Sequence, residues 1–251
     1  MTEVNRILVF VMIVMLLSAC YKSDNKFEHG NFVYPATLGE WKKIEIPGRD
    51  VIQAVYGSID DTLVAMTCYD LYYSVDKGKS WKHTFKTNHG LSSFHFQNDT
   101  IMAYEGYIGQ NIEGESGIEF QQAGLSPLVY SIDYGQRWNL GMPAQYHEVH
   151  PLIGNVYDAK RKVNYRVKDV LNGSENFAEI EYQVIQKICD DEFTQVAFPL
   201  KCYIENLYID KEDRLYVCLG HYWKFYKEIS DGKISIERPG VIYYIDIKKL
   251  Q

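Results

Sequence analysis

Leu71-Tyr72-Tyr73-Ser74-Val75-Asp76-Lys77-Gly78-Lys79-Ser80-Trp81 decides the fold, because the chain writes it twice. The second copy is Leu128-Val129-Tyr130-Ser131-Ile132-Asp133-Tyr134-Gly135-Gln136-Arg137-Trp138. Both read S-x-D-x-G-x-x-W after an apolar, aromatic run, and their aspartates stand 57 residues apart. The run has strand chemistry. The Ser and Asp side chains can bond backbone groups inside a tight turn, and the Gly supplies the positive φ such a turn requires. The Trp is placed to cover the hairpin. Recurrence at a fixed period marks repeated structural units.

The period continues in worn form. One step beyond Asp133 lies Asp190, and a further step leads to Asp246, both without the Ser and the Gly. The strand after the turn recurs at 41–47, 138–143 and 193–199. A short polar turn followed by a strand recurs near Asp60, Asp99, Asp158 and Asp213. The chain therefore reads as four units of turn, strand, variable loop, strand, tight turn and outer strand. The last unit lacks an outer strand, and the outer strand at 41–47 lacks a unit. Pairing 41–47 with 241–247 resolves both gaps and removes open edges. The expectation is an all-β domain over 35–251, a small four-bladed β-propeller-like ring closed by its N-terminal strand. The competing reading is an irregular β-sandwich with two similar hairpins.

The repeat resembles the Asp-box, or BNR, repeat of sialidase-type β-propellers. The resemblance rests on Ser74, Asp76, Gly78 and Trp81, and on Ser131, Asp133, Gly135 and Trp138. It implies a structural role for these residues. A sialidase site resembles a funnel lined by three arginines, with a Tyr–Glu pair, an acid Asp and an early Arg-Ile-Pro motif. Arg49, Arg137, Arg161, Arg166, Arg214 and Arg238 lie in no such motif. The resemblance thus implies fold and not activity.

The front of the chain reads as an address. Residues 7–17 form an apolar run of signal-peptide length, too short to span a bilayer. Ser18 and Ala19 are small, and Cys20 follows. Leu17-Ser18-Ala19-Cys20 resembles the bacterial lipobox, which implies cleavage before Cys20 and lipid attached to it. Residues 1–19 are then signal peptide and 20–34 a polar tether. Tyr21, where an Asp would imply inner-membrane retention, implies the outer membrane. Several acyl chains anchor a protein far better than one. The expected place is the bacterial envelope, periplasm-facing.

Net charge is −7, which argues against nucleic acid and against a polybasic membrane-binding face. Twenty-one tyrosines favour strands and half-wet surfaces. Cys68, Cys189, Cys202 and Cys218 have no CxxC pairing, so zinc is not expected, and an oxidising envelope would allow one or two disulfides. His147-Glu148-Val149-His150 spaces its histidines three apart and runs into Pro151, unlike a zincin helix. Gly114-Glu115-Ser116-Gly117 is one residue short of a nucleophile elbow. Acid pairs such as Asp60-Asp61 and Asp190-Asp191 sit in turns. The expectation is no catalytic residue, no metal and no cofactor.

Two insertions carry recognition chemistry. Residues 104–127 hold Glu105, Glu113, Glu115 and Glu119 among aromatics and glycines. Residues 220–240 hold Tyr222, Trp223, Phe225 and Tyr226. Long loops on a rigid scaffold are where binding concentrates. The bland readings are a solvated acidic hairpin and an ordinary aromatic strand. The lipobox, the length, the tyrosines and the worn repeats together resemble the immunity lipoproteins of type VI secretion phospholipase effectors. That resemblance implies a protein that binds a secreted lipase toxin in the periplasm, with the acidic insertion steering encounter and the aromatic one anchoring it. The alternatives are a non-catalytic propeller scaffold in envelope assembly and a glycan-acting enzyme.

Overall fold

The computed structural model describes residues 34–47, 51–113, 119–124, 126–149, 151–172, 179–190, 192–220 and 240–250, with backbone alone at 107–113, 119–122, 172 and 179. Residues Pro35–Gln251 form one compact unit. Cys20 and the leader lie outside the described residues.

The strands run in chain order as β1 (Thr37–Leu38) and β2 (Trp41–Ile46), then β3 (Ile52–Gly57), β4 (Leu63–Thr67), β5 (Asp70–Ser74) and β6 (Lys82–Lys86). Next come β7 (Leu91–Gln97), β8 (Thr100–Glu105), β9 (Tyr107–Glu113), β10 (Glu119–Ala123), β11 (Pro127–Ser131), β12 (Asn139–Leu140) and β13 (Leu152–Ile153). The rest are β14 (Asn155–Asp158), β15 (Val163–Asn172), β16 (Glu179–Cys189), β17 (Glu192–Gln195), β18 (Ile204–Ile209), β19 (Arg214–Leu219) and β20 (Gly240–Asp246).

These make four antiparallel blades. Blade one is β3-β4-β5-β6, blade two β7-β8-β11-β12, blade three β14-β15-β16-β17, and blade four β18-β19-β20-β2, with β1 outside β2. The fold is a four-bladed β-propeller arrangement. The N-terminal strand closes it: Lys42 pairs with Tyr244 and Ile46 with Gly240, antiparallel. Each blade has four strands, one more than the three-strand unit read from the sequence. The added strand is the inner one, which precedes each polar turn. A small extra sheet, β9-β10-β13, grows from blade two.

A blade is covered on both faces, so its inner strands become continuous apolar runs instead of alternating ones. β4, Leu63-Val64-Ala65-Met66-Thr67, is buried throughout. One core cluster joins blades four and one through Ile44, Ile46, Ile52, Val55, Tyr216 and Ile242. Another joins blades one and two through Ala54, Met66, Leu71, Leu91, Ala103 and Val129. Each large apolar side chain buried this way contributes roughly 1.5–3 kcal/mol.

The two repeated turns are built alike, bond for bond. Ser74 Oγ donates to Asp76 Oδ1 at 2.9 Å and accepts from Gly78 N at 3.0 Å. Ser131 Oγ donates to Asp133 Oδ1 at 2.9 Å and accepts from Gly135 N at 2.8 Å. Asp76 Oδ1 accepts from Ser80 N and Asp133 Oδ1 from Arg137 N, each at 2.9 Å. Both glycines have positive φ, 73° and 83°. A Cβ on Gly78 would stand 2.7 Å from Ile44 of blade four, and one on Gly135 2.9 Å from Val64 of blade one. The turns therefore press against the preceding blade.

The tryptophans extend this. Trp81 Nε1 donates to Glu45 O, Trp138 Nε1 to Thr84 Oγ1, and Trp41 Nε1 to Ala197 O. Each reaches the fourth strand of the preceding blade or the residues just past it. Ion pairs reinforce two junctions. Arg161 Nη2 bonds Asp213 Oδ2 at 2.9 Å between blades three and four, and Arg214 bonds Asp60 between blades four and one.

Cys68, Cys189, Cys202 and Cys218 are thiols, joined by no disulfide. Burial pushes the Cys202 thiol up to about 12.

Candidate functional site

Strand direction separates two ends of the ring. The first-to-second turns and the third-to-fourth turns leave at one end. These include Asp158, whose Oδ1 accepts from Lys160 N and Arg161 N, and Asp210, whose Oδ1 accepts from Glu212 N and Arg214 N. Such short, side-chain-bonded turns leave little free surface. The second-to-third connections leave at the other end. They comprise Cys68–Tyr69 in blade one, the β9–β10 insertion in blade two, the tip of the long β15–β16 hairpin in blade three, and 220–240 in blade four. Both insertions singled out in the sequence thus root at the same end.

The inner strands meet that end in a repeated way. Ile52-Gln53-Ala54-Val55, Leu91-Ser92-Ser93-Phe94 and Ile204-Glu205-Asn206-Leu207 are equivalent segments. In blades one, two and four the second residue interrupts the register, leaving it as a β-bulge. A bulge re-aims a side chain. Gln53 Nε2 donates to Cys68 Sγ at 3.4 Å, and Ser92 Oγ to Tyr104 O at 3.3 Å. Each bulge residue thereby ties its own blade's second strand, or the residue after it, where the connection leaves.

Glu205 is the exception. Its carboxyl lies over Gly220, where an added Cβ would meet Oε1 at 2.2 Å. It accepts no hydrogen bond among the described residues, and burial pushes it up to about 7. Its charge also raises the buried Cys218 thiol beyond what burial alone does. A carboxyl poised this way stands at the foot of the aromatic insertion. Toward the short-turn end the inner strands of blades one, two and four meet through aromatics: Phe96 stacks on Tyr56 at 4.9 Å, and Tyr56 meets Tyr208 at 5.5 Å.

The residues expected to contact a partner distribute as follows. Glu105 Oε2 pairs with His89 Nδ1 at 2.9 Å, at the root of the acidic insertion. Glu113 and Glu119 are register partners in β9 and β10. The insertion is a hairpin extended by β13, not a loop. Glu115, Tyr222, Trp223, Phe225 and Tyr226 lie outside the described residues. Ser74, Asp76, Gly78, Trp81, Ser131, Asp133, Gly135 and Trp138 all sit at the short-turn end, away from the insertions. His147 and Glu148 lie in the connection between β12 and β13, where His147 N donates to Gln97 Oε1; His150 is outside the described residues. Sequence reading missed Gln53, Ser92 and Glu205. Aligning the inner strands on one another would have found them.

No family model matches the chain, and no curated protein does. Among solved structures the chain is similar to YCF48 bound to D1 peptide, at 15% identity over 75% of this chain and 68% of that one, with a TM-score of 0.29. It is also similar to YCF48 from Cyanidioschyzon merolae, at 12% identity over 72% and 67%, with a TM-score of 0.27.

Proposed function

We propose that this protein is a lipid-anchored envelope lipoprotein, periplasm-facing on the outer membrane. In this reading it binds and neutralises a secreted antibacterial toxin of the type VI, phospholipase type. It acts by binding, without catalysis. The repeated turns belong to the Asp-box class and hold the scaffold, while Cys20 holds the anchor. The observation that carries the reading is that both long insertions, 104–127 and 220–240, root at one end of a ring whose other end is closed by short turns. Glu105, Glu113, Glu115 and Glu119 supply charge for encounter there, and Tyr222, Trp223, Phe225 and Tyr226 supply anchors.

Affinity capture from cells expressing their secretion system, read by mass spectrometry, tests the reading. One stoichiometric partner with a lipase-type serine motif is expected. Capture of envelope-assembly proteins in its place would make the chain a scaffold. Changing Tyr222, Trp223 and Tyr226 together to Ala should abolish protection while the fold persists; a folded triple variant that still protects would remove these residues from the contact.

A further inference from the structure

The four arginines among the described residues are not used alike. Arg137 pairs with Asp133, Arg161 with Asp158 and Asp213, and Arg214 with Asp60 and Asp210. Arg166 pairs with no carboxylate among the described residues. Its Nε and Nη2 both donate to the neutral Gln186 Oε1, at 2.9 and 2.8 Å. Its guanidinium carbon lies 5.2 Å from the centre of the Phe193 ring. One edge and one face of the guanidinium are thus held, which leaves the end-on fork of Nη1 and Nη2 for a ligand. A fixed guanidinium fork matches a planar carboxylate.

The surrounding face has the same character. Register places Asn155 opposite Arg166, Asn164 opposite Ile188, Arg166 opposite Gln186, and Lys168 opposite Val184. Phe193 and Gln195 continue the same rows on β17. Side chains alternate across a strand, so these share one face of blade three. In a chain of net charge −7, that face holds Arg166 and Lys168 and no acidic residue among those named in the register. Asn155 Nδ2 and Asn164 Oδ1, buried on it, bond to nothing. Buried polar atoms are nearly always bonded, so two orphans on one face call for a partner. Phe193 holds the place in blade three that the stapling tryptophans hold elsewhere, yet it is 53% exposed, and Tyr157, at the other edge of the same row, is 60% exposed.

We propose that this face of blade three is a carboxylate-binding site, in which the end-on fork of Arg166, backed by Gln186 and Phe193, takes a carboxylate of a partner polypeptide. A side-chain shift at the same face lets the partner's peptide N–H and C=O reach Asn164 Oδ1 and Asn155 Nδ2. The carboxylate is that of an Asp or Glu side chain or of a chain terminus; the chemistry is shared. Burial already lowers the Arg166 pKa, and a carboxylate would reverse that. The site begins two residues after β13, the strand that extends the acidic insertion's sheet, and its argument does not depend on the toxin reading.

The test is a titration of the full chain, followed by the side-chain N–H resonances of Arg166, Asn155 and Asn164. The probes are Ac-Gly-Glu-Gly-NH2, Ac-Gly-Gly-Ala with a free C-terminus, and neutral Ac-Gly-Gln-Gly-NH2, at fixed chloride. Saturable shifts at all three residues with either carboxylate probe, and none with the neutral one, are expected; which carboxylate binds more tightly identifies the source. Arg166→Lys keeps the charge but loses the fork, and should weaken binding by about tenfold. Phe193→Leu, at an exposed position, should weaken it by about threefold. Shifts that stay linear, equal shifts with the neutral probe, or undiminished binding in either folded variant would overturn the site.

Discussion

The junction of blades three and four and the junction of blades two and three occupy equivalent places in the ring, and they are built differently. At the first, Trp41 is buried, donates to Ala197 O and meets Phe198 edge-on at 5.0 Å, while Arg161 bonds Asp213 across the gap. At the second, Phe193 stands where a tryptophan would and lies open beside Arg166. The described links there come from the inserted sheet instead: β10 pairs with β13, and Ala123 N donates to Pro151 O. A small ring is thus fastened at three junctions by a repeated staple and joined at the fourth by a hairpin. At that fourth junction the described residues include no such staple, and the exposed Phe193 packs on Arg166 instead.

The largest effect should separate these two junctions. Trp41→Ala removes a fully buried aromatic and should cost about 3–5 kcal/mol in urea unfolding. Phe193→Ala, the equivalent change at the open junction, should cost less than about 0.5 kcal/mol. Equal costs would mean that Phe193 staples after all, and the contrast between the junctions would collapse.

The next effect compares the bulge residues at the insertion end. Gln53 and Ser92 are hydrogen-bonded, whereas the half-buried Glu205 has no hydrogen-bond partner among the described residues. Its folded-state pKa, about 7, lies above the ordinary 4.5. Protonation therefore favours the fold, and stability is lost as pH rises from about 4.5 through 7. Glu205→Gln should abolish that slope. It should leave stability unchanged near the low end and raise it by about 2 kcal/mol at pH 8, read from urea midpoints across the range. An unaltered slope would show that Glu205 is not the titrating group.

These contrasts also mark what was legible in the sequence. The S-x-D-x-G-x-x-W turns were legible because their bonds are local: every partner of the Ser74 and Ser131 hydroxyls lies within four residues. Closure by 41–47 was legible as a count, one outer strand too many at the start and one too few at the end. The inner strands were not. Ile52-Gln53-Ala54-Val55 and Ile204-Glu205-Asn206-Leu207 share only a spacing of apolar residues, and the bulge breaks the alternation by which a strand is recognised. The Arg166 face was hidden for another reason. It depends on strand register across β14–β17, and a slip of one residue would send every side chain to the other face.

A third effect tests whether intact turns hold what the worn one does not. Ser74→Ala and Ser131→Ala each remove an oxygen that accepts from a glycine N–H inside the turn. Each should cost about 1 kcal/mol, and by similar amounts, since the two turns share their bonds. Clearly unequal costs, measured by urea unfolding, would show that one turn is held chiefly by its packing against the neighbouring blade.

The smallest effect has the opposite sign. Asp190 turns the hairpin of blade three at φ 47°, a conformation that a residue with a Cβ adopts with some strain. Its described side-chain contact is a weak one, from Cys189 Sγ at 3.7 Å. Glycine relieves the strain but adds freedom to the unfolded chain, and the two effects largely offset. Asp190→Gly should therefore stabilise by no more than about 0.5 kcal/mol. Asp213 has the same backbone state, at φ 64°, in the equivalent position of a first-to-second turn. There the carboxylate receives Arg161 and Lys160, which hold it at about 2. Asp213→Gly should accordingly destabilise, because it cuts the ion pair between blades three and four as it relieves the same strain. Thermal midpoints that move in opposite directions for two aspartates of like conformation would locate the difference in the junction and not in the turn. Midpoints that move together would place it in the backbone, and the ion pair across that junction would contribute nothing measurable.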